Sequence, residues 1–425
     1  MKTKNLFIIR LVNGFKEIAI HRWKLIFPAL YILLMAVTWI NRERIFSMNE
    51  TIPFHILYEY IKTIILIIAG ILGFLCLFAA LGTPLCTNSV KEKFMQIGFI
   101  NYNGDSPIIL TYVKKKKNKY TTMIFDNKGI CLSEWEKRRE ELEAVFNKRI
   151  TLIEYGKNTS LIILHTVPYD KALPKKIVWD DKLLNKDNFV LVLGESYQNV
   201  VTVNLAQMPH ILCGGSTGSG KSILLKLLIM QCIKKGATVY IADFKGGVDF
   251  PPIWHDKCMM LYHPNELDTI LSNFVDTLEE RKKMFRDSGC PDIDSYNSHN
   301  NKNLKRLILA CDEIAEVLDK TGQIKEKKEQ ILSIESKLST VARQGRAFGL
   351  HLLLATQRPD ANILSGQIKN NISYRICGRA DNVLSQIILD NTDAAAKVPK
   401  DKQGQFVTHS GEVFQAYWFD ERNSF

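Results

Sequence analysis

Apolar and polar positions along this chain change their period twice. From Thr63 to Leu81 nineteen residues pass without a charge, and the next charged side chain is Lys91. A run of that length predicts a membrane-crossing helix rather than an amphipathic one. The run Leu25 to Ile40 is shorter, at sixteen residues, but it has Trp23 and Trp39 at interfacial positions and Lys24 and Arg42 able to reach outward. Its alternative reading, the apolar core of a signal peptide, lacks a small-x-small cleavage pattern behind it. Both runs are expected to span. Residues 91–189 then alternate β-rich runs, Ile108–Val113, Ile150–Tyr155 and Leu161–Val167, with one charged helix at about Ser133–Asn147, where Ser133 and Glu136 predict a capping box. Beyond residue 190 short apolar runs alternate with helical patterns, which predicts a mostly parallel sheet and an α/β fold.

The expected organisation is a cytoplasmic segment at 1–24, two transmembrane helices with a short external loop at 25–90, a small α+β domain at 91–189 and the α/β domain at 190–425. Composition, with 46% hydrophobic and 24% charged residues, is that of a globular chain. The net charge of +12 is unevenly placed. Residues 1–189 hold 28 Lys/Arg against 17 Asp/Glu, whereas residues 190–425 hold 28 against 27. The basic excess therefore follows the apolar runs. By the positive-inside rule it puts both termini in the cytoplasm, with the α/β domain beneath a cytoplasmic membrane crossed twice. Lys114 to Lys117 with Lys119 read as a solvated hairpin turn. None of the nine cysteines forms a CxxC pair or clusters with histidine, so neither a zinc site nor a disulfide framework is expected.

Candidate chemistry begins at Gly215-Ser216-Thr217-Gly218-Ser219-Gly220-Lys221-Ser222, which fits GxxxxGK[ST]. His210–Cys213 before it reads as a buried strand and Ile223–Lys234 after it as a helix, the context the motif requires. Glycines let backbone N–H groups turn toward phosphates at a helix N-terminus, Lys221 reaches the β and γ phosphates of ATP, and Ser222 ligates Mg²⁺. Ninety residues on, Leu307–Cys311 ends at Asp312-Glu313. Asp312 is expected to hold Mg²⁺, and Glu313 to orient and deprotonate the attacking water. A third strand, Leu350–Thr356, ends at Gln357-Arg358-Pro359, with Pro359 as its stop and Gln357 as a sensor of the γ-phosphate or a polar cap. Strand Thr238–Asp243 leads into another loop, Phe244-Lys245-Gly246-Gly247, on the same edge.

These residues resemble the FtsK/SpoIIIE-type DNA translocases over about 190–410. The likeness is carried by Leu205-Ala206-Gln207-Met208-Pro209-His210, by Asp243-Phe244-Lys245-Gly246, by Tyr296-Asn297 and above all by the run from Gly345 through Arg346 to Pro359. The resemblance implies a RecA-like P-loop motor, assembled as a homohexamer around DNA and driven by ATP. It suggests Arg346 as an arginine finger given to a neighbour's site, with Arg375 and Arg379 as competitors. Two spans rather than four, no long linker and no room for a winged-helix domain before Phe425 make the layout most like the coupling ATPases of Gram-positive conjugative elements. Those imply relaxase and transfer-channel proteins as partners, besides the bilayer. A small chromosome or plasmid partition pump shares the chemistry. A secretion-type ATPase moving proteins shares the fold but usually carries tandem modules, and a passive docking receptor would not need Lys221, Asp312, Glu313 and Gln357 together.

Overall fold

A computed structural model describes residues 3–45, 55–115, 120–170, 172–357 and 365–421. Two units divide them, Met1–Lys171 and Ala172–Phe425.

In the first unit both long apolar runs are helical, Ile26–Ile40 after a 3-10 turn at Arg22–Leu25, and His55–Leu81. The segments 22–40 and 60–81 are each long and apolar enough to cross a membrane. The two helices meet where the Tyr31 hydroxyl donates to the Gly70 carbonyl at 3.0 Å. Trp23 and Trp39 are exposed at the ends of the first run, and the Arg42 guanidinium lies 4.8 Å from the Trp39 ring. A further helix, Thr3–Ile20, occupies the segment ahead of the apolar runs, where no element was anticipated.

The rest of this unit is a helix, Thr87–Gln96, on a four-stranded antiparallel sheet. Its strands β1 (Ile108–Lys115), β2 (Tyr120–Asp126), β3 (Lys148–Tyr155) and β4 (Leu161–Pro168) lie in the order β1-β2-β4-β3. All three β-rich runs of the sequence are strands here. β1 and β2 form a hairpin in which Lys115 faces Tyr120, while the lysine-rich turn at 116–119 lies outside the described residues. Phe94, Phe99, Phe125 and Trp135 fill the core, their rings 4.9 to 5.7 Å apart.

The charged helix departs from its expected form. It starts at Leu132 with Cys131 as cap and no side-chain cap bond, so Ser133 and Glu136 make no capping box. Glu136 pairs instead with Arg139 at 2.6 Å, and the helix breaks at Arg138. The Arg138 side chain turns away to the carbonyls of Gly98 and Ile97. The second half, Arg139–Phe146, ends on Asn147 in the left-handed region, an ordinary asparagine stop.

The second unit is built on one mixed sheet. β5 (Ile177–Val178), β6 (Val190–Ser196), β7 (Val200–Asn204), β8 (His210–Gly214), β9 (Thr238–Ala242), β10 (Met259–Leu261), β11 (Leu307–Cys311), β12 (Leu350–Thr356), β13 (Tyr374–Cys377), β14 (Gln405–Thr408) and β15 (Val413–Trp418) follow in chain order. Across the sheet the order is β10-β9-β11-β12-β8-β13-β14-β15-β6-β7, with β5 beside β15. From β10 to β13 every pairing is parallel, and helices Lys221–Lys234, Pro264–Ser288 and Lys325–Gln344 supply crossovers. β8 and β12 are buried along their whole length, as covered parallel strands are. From β13 onward the pairings along this order are antiparallel, a flank made by residues before the P-loop and by the carboxyl-terminal hairpin, with β5 joining β15 in parallel. The α/β fold with a parallel central sheet is thus as the alternation predicts, and the antiparallel flank is added to it. β5 draws the start of the unit back to Ala172, ahead of the boundary expected at 190, because Trp179 donates to the Trp418 carbonyl and packs 5.8 Å from Tyr417.

Candidate nucleotide site

Loops from the carboxyl ends of β8, β9, β11, β12 and β13 converge on one edge of the parallel sheet, where ligands meet such folds. The loop after β8 is 215–220, closing on the helix Lys221–Lys234. Gly220 sits at φ +98, and a Cβ there would lie 3.1 Å from Gly404, so this turn needs glycine. Around it the loop is braced from outside. Ser216 N–H and its hydroxyl both donate to the Arg379 carbonyl, at 2.8 and 3.0 Å, and Gly404 N–H donates to the Ser219 carbonyl at 2.9 Å. The Ser219 hydroxyl is buried and makes no bond in the structure.

Lys221 and Asp312 meet beneath the loop, 4% and 2% exposed, which is rare for charges unless they are paired. The Lys221 ammonium donates to the Asp312 carbonyl at 2.5 Å and lies 3.3 Å from Asp312 Oδ1 and 3.9 Å from Glu313 Oε2. Ser222 Oγ donates to Asp312 Oδ1 at 2.9 Å. On the other carboxylate oxygen, Asp312 Oδ2 accepts from Lys245 at 3.1 Å, and Lys245 also reaches Asp249 at 3.1 Å. Burial alone would raise the Asp312 carboxyl. The two ammonium groups and the Ser222 hydroxyl outweigh that and hold it below the usual carboxylate range. For Lys245 burial acts downward, and its bonds to Asp312 and Asp249 reverse it, leaving the ammonium harder to deprotonate than usual.

Glu313 is fixed from the neighbouring strand. Its Oε1 accepts from the Thr356 hydroxyl at 2.7 Å and its Oε2 from the Gln357 N–H at 2.9 Å. Gln357 itself accepts from the Thr217 hydroxyl at 2.9 Å, so the end of β12 touches the phosphate loop. Pro359, expected to stop that strand, lies outside the described residues, and β12 ends at Thr356. The sequence-predicted residues Gly215, Ser216, Thr217, Gly218, Ser219, Gly220, Lys221, Ser222, Asp312, Glu313 and Gln357 are thus brought to one place.

Arg346 is not brought there. It precedes β12 at the opposite end of the sheet, exposed, with its Nε donating to the Ala206 carbonyl at 3.0 Å. Arg375 is bound to Asp390 and to the Ile372 carbonyl. Arg379 lies on the phosphate loop of its own chain, donating to Ser216 Oγ at 3.2 Å, to the Thr217 carbonyl at 2.5 Å and to the Lys400 carbonyl at 2.8 Å. Lys245 and Arg379 are site residues whose roles the sequence did not reveal. The signal for Lys245 was its place two residues beyond a strand-end aspartate; Arg379 had none in its local pattern.

A hydroxyl and a carboxylate 2.9 Å apart are hard oxygen donors of the kind Mg²⁺ takes, usually with waters retained. A lysine held at the same point and a buried unpartnered hydroxyl in a loop of left-handed glycines suit a nucleotide's phosphates. Ser222 and Asp312 would hold the ion, and residues 215–222 the phosphate chain.

Fold and loop together define a P-loop ATPase-like α/β protein. The chain belongs to the FtsK/SpoIIIE family, whose family model matches residues 179–361. It is 34% identical to the conjugation coupling protein TcpA of pCW3, solved in a monomer form with ATPγS, with a TM-score of 0.59 over 79% of this chain and 96% of that one. The DNA translocase FtsK of Caldanaerobacter subterraneus subsp. tengcongensis is 29% identical over 242 residues, 54% of this chain and 33% of that protein. The DNA translocase SftA of Bacillus subtilis is 32% identical over 203 residues, 44% of this chain and 20% of that protein. The chain spans a third or less of the length of these two curated relatives.

Proposed function

We propose that this chain is a membrane-anchored, ATP-hydrolysing DNA translocase that acts as a conjugative coupling protein. The observation that carries the reading is the single constellation of Lys221, Ser222, Asp312, Glu313 and Gln357 on the carboxyl edge of a parallel sheet. Its place within a likeness to a conjugation coupling protein that extends over nearly all of that protein points to DNA transfer. Each residue has a task that its setting permits. Lys221, already desolvated, neutralises phosphate charge, and ATP with Mg²⁺ supplies the transferable phosphoryl group and its counter-charge. Glu313, anchored by Thr356 and Gln357, presents a carboxylate to a water as general base. Gln357, joined to Thr217, links the phosphate loop to strand β12. The segments 22–40 and 60–81 support two passes through the cytoplasmic membrane with the ATPase unit inside the cell. A homohexamer on DNA, with relaxase and channel proteins as partners, completes the reading.

The experiment is DNA-stimulated ATP hydrolysis by the full chain, beside transfer of the element that encodes it. Lys221→Ala should insert into membranes normally and lose both activities. Hydrolysis at the unaltered rate would remove the ATPase assignment. Retained transfer by a hydrolysis-dead chain would remove the coupling role.

A further inference from the structure

The helix Thr3–Ile20 has an arrangement of sides that water does not favour. Its stripe Ile8, Val12 and Phe15, spaced by four and three residues, is left about half uncovered by the protein, at 55%, 45% and 51% exposed. Its polar stripe Asn13 and Glu17 engages the protein. Asn13 Nδ2 donates to the Leu110 carbonyl at 3.1 Å, and Glu17 pairs with Lys24 at 2.5 Å. An amphipathic helix at an aqueous surface shows the opposite orientation.

Its third side fixes where it lies. Gly14 and Gly82 bring this helix and His55–Leu81 into backbone contact. A Cβ at Gly14 would fall 2.0 Å from the Phe78 carbonyl oxygen, and one at Gly82 would fall 1.9 Å from that of Arg10. Small residues at such a crossing are the usual means by which helices pack within membranes. Phe15 adds a ring contact to Phe78 at 4.2 Å. The crossing sits at the carboxyl end of the apolar run 60–81, and the helix leads on to the turn Arg22–Leu25 that opens the other run. Lys16, Arg22 and Lys24 follow close behind in the sequence, charges of the kind that meet anionic headgroups.

We infer that Thr3–Ile20 is a lipid-facing helix lying in the cytoplasmic leaflet, its Ile8–Val12–Phe15 stripe against phospholipid acyl chains and its neighbouring lysines and arginines among anionic headgroups. The inference rests on the membrane-anchored reading of the two apolar helices. Interfacial helices of this kind bury their apolar face at the boundary of headgroup and chain. The spans expose apolar side chains as well, Leu33 and Leu72 among them, and lipid is the occupant that satisfies both.

The test places a small fluorescent amino acid singly at Val12, Phe15, Leu33, Leu72 and Lys157 of the full chain, reconstituted in phosphatidylcholine–phosphatidylglycerol vesicles. Quenching is measured with brominated acyl chains. Val12 and Phe15 should lose fluorescence to an extent comparable with Leu33 and Leu72, with bromines near the headgroup quenching them more than bromines at the chain ends. Lys157 should be unaffected. Quenching at Leu33 and Leu72 with none at Val12 and Phe15 overturns the lipid-facing helix and leaves the anchor standing. No quenching at any of the four overturns both. An Ile8→Cys chain, challenged with a water-soluble thiol reagent against an Asn158→Cys control, gives a second reading. Modification of Ile8→Cys as fast as the control contradicts the inference, and marked protection supports it.

Discussion

Asp312 receives a lysine on each of its oxygens, and the two lysines differ in what they can do. Lys221 is nearly inaccessible and stands on the phosphate loop, whereas Lys245 is 36% exposed and shares itself with Asp249. Lys245 therefore competes with any cation that approaches Asp312 Oδ2. Replacing it with alanine is expected to lower the Mg²⁺ concentration that half-saturates binding of a fluorescent ATP analogue, by roughly two- to tenfold, since a half-exposed ion pair contributes on the order of 1 kcal/mol. An unchanged or weakened Mg²⁺ dependence would refute that competition. Glu313 makes a different prediction. Both its oxygens are already hydrogen-bonded by Thr356 and Gln357, so glutamine can keep much of the geometry without the basicity. Glu313→Gln should bind ATP with ordinary affinity and turn it over about 10²–10⁴-fold more slowly, the usual range for losing a general base. Equilibrium binding beside single-turnover rates decides it, because loss of binding as well would make this glutamate structural.

Elements were legible wherever a single chemical demand set them. The phosphate loop, the strand before Asp312 and the strand before Gln357 each declared themselves by an apolar run ending in a polar residue at the same sheet edge. The capping box at Ser133 misled, because the helix starts a residue earlier, with Ser133 bonded to Cys131 and Glu136 to Arg139, and Arg138, where it breaks, reaches the Gly98 and Ile97 carbonyls. Contacts of that range have no sequence periodicity. The helix Thr3–Ile20 was hidden for a related reason: its charges carried the topology argument, and its apolar stripe was too short to register as a span. At the other end of the parallel strands from the phosphate loop is a buried pair that sequence reading also passed over. His351 Nε2 accepts from Arg306 at 3.0 Å, His210 Nδ1 accepts from the Leu352 N–H at 3.0 Å, and Arg306 pairs with Asp294 at 2.6 Å. Burial lowers the His210 imidazole from 6.5 to about 4, and burial with the Arg306 charge takes His351 well below its usual value. Both are neutral when folded, while the unfolded chain takes up their protons below 6.5. Their contribution is therefore complete above pH 6.5 and lost as pH falls toward 4. For His210 alone that is roughly 3 kcal/mol over the full window. Urea midpoints of the second unit's transition should fall between pH 7 and pH 5; a flat profile would show that these histidines stay accessible to protons.

At the scale of the proposed assembly, the question for the site is which arginine serves it among the described residues. Within its own chain the cluster has the lysine, the two acids and Gln357, and among the described residues the arginine beside it is Arg379, which is spent on holding Ser216, Thr217 and Lys400. Arg375 is closed off by Asp390. Arg346 has a single backbone bond and stands exposed before β12, whose seven residues separate it from Gln357 by about 23 Å at strand rise. It cannot serve its own phosphate loop. The proposed homohexamer would give it a neighbour's loop to serve. In a ring whose subunits complete each other's sites, Arg346→Ala should keep ATP affinity and lose hydrolysis, since an arginine finger stabilises charge only as the phosphoryl group transfers. Mixing it with Lys221→Ala protein should then restore part of the DNA-stimulated hydrolysis. An intact Lys221 in the first chain can receive Arg346 from the second, and co-residence in one membrane raises their effective concentration. The same mixture made with Arg379→Ala should stay inactive, because that arginine works beside its own loop and no neighbour can replace it. ATPase rates across several mixing ratios distinguish the cases. Recovery with Arg379→Ala but not with Arg346→Ala would exchange their roles. No recovery with either would mean that hydrolysis needs every subunit intact, or that the ring is not the active form.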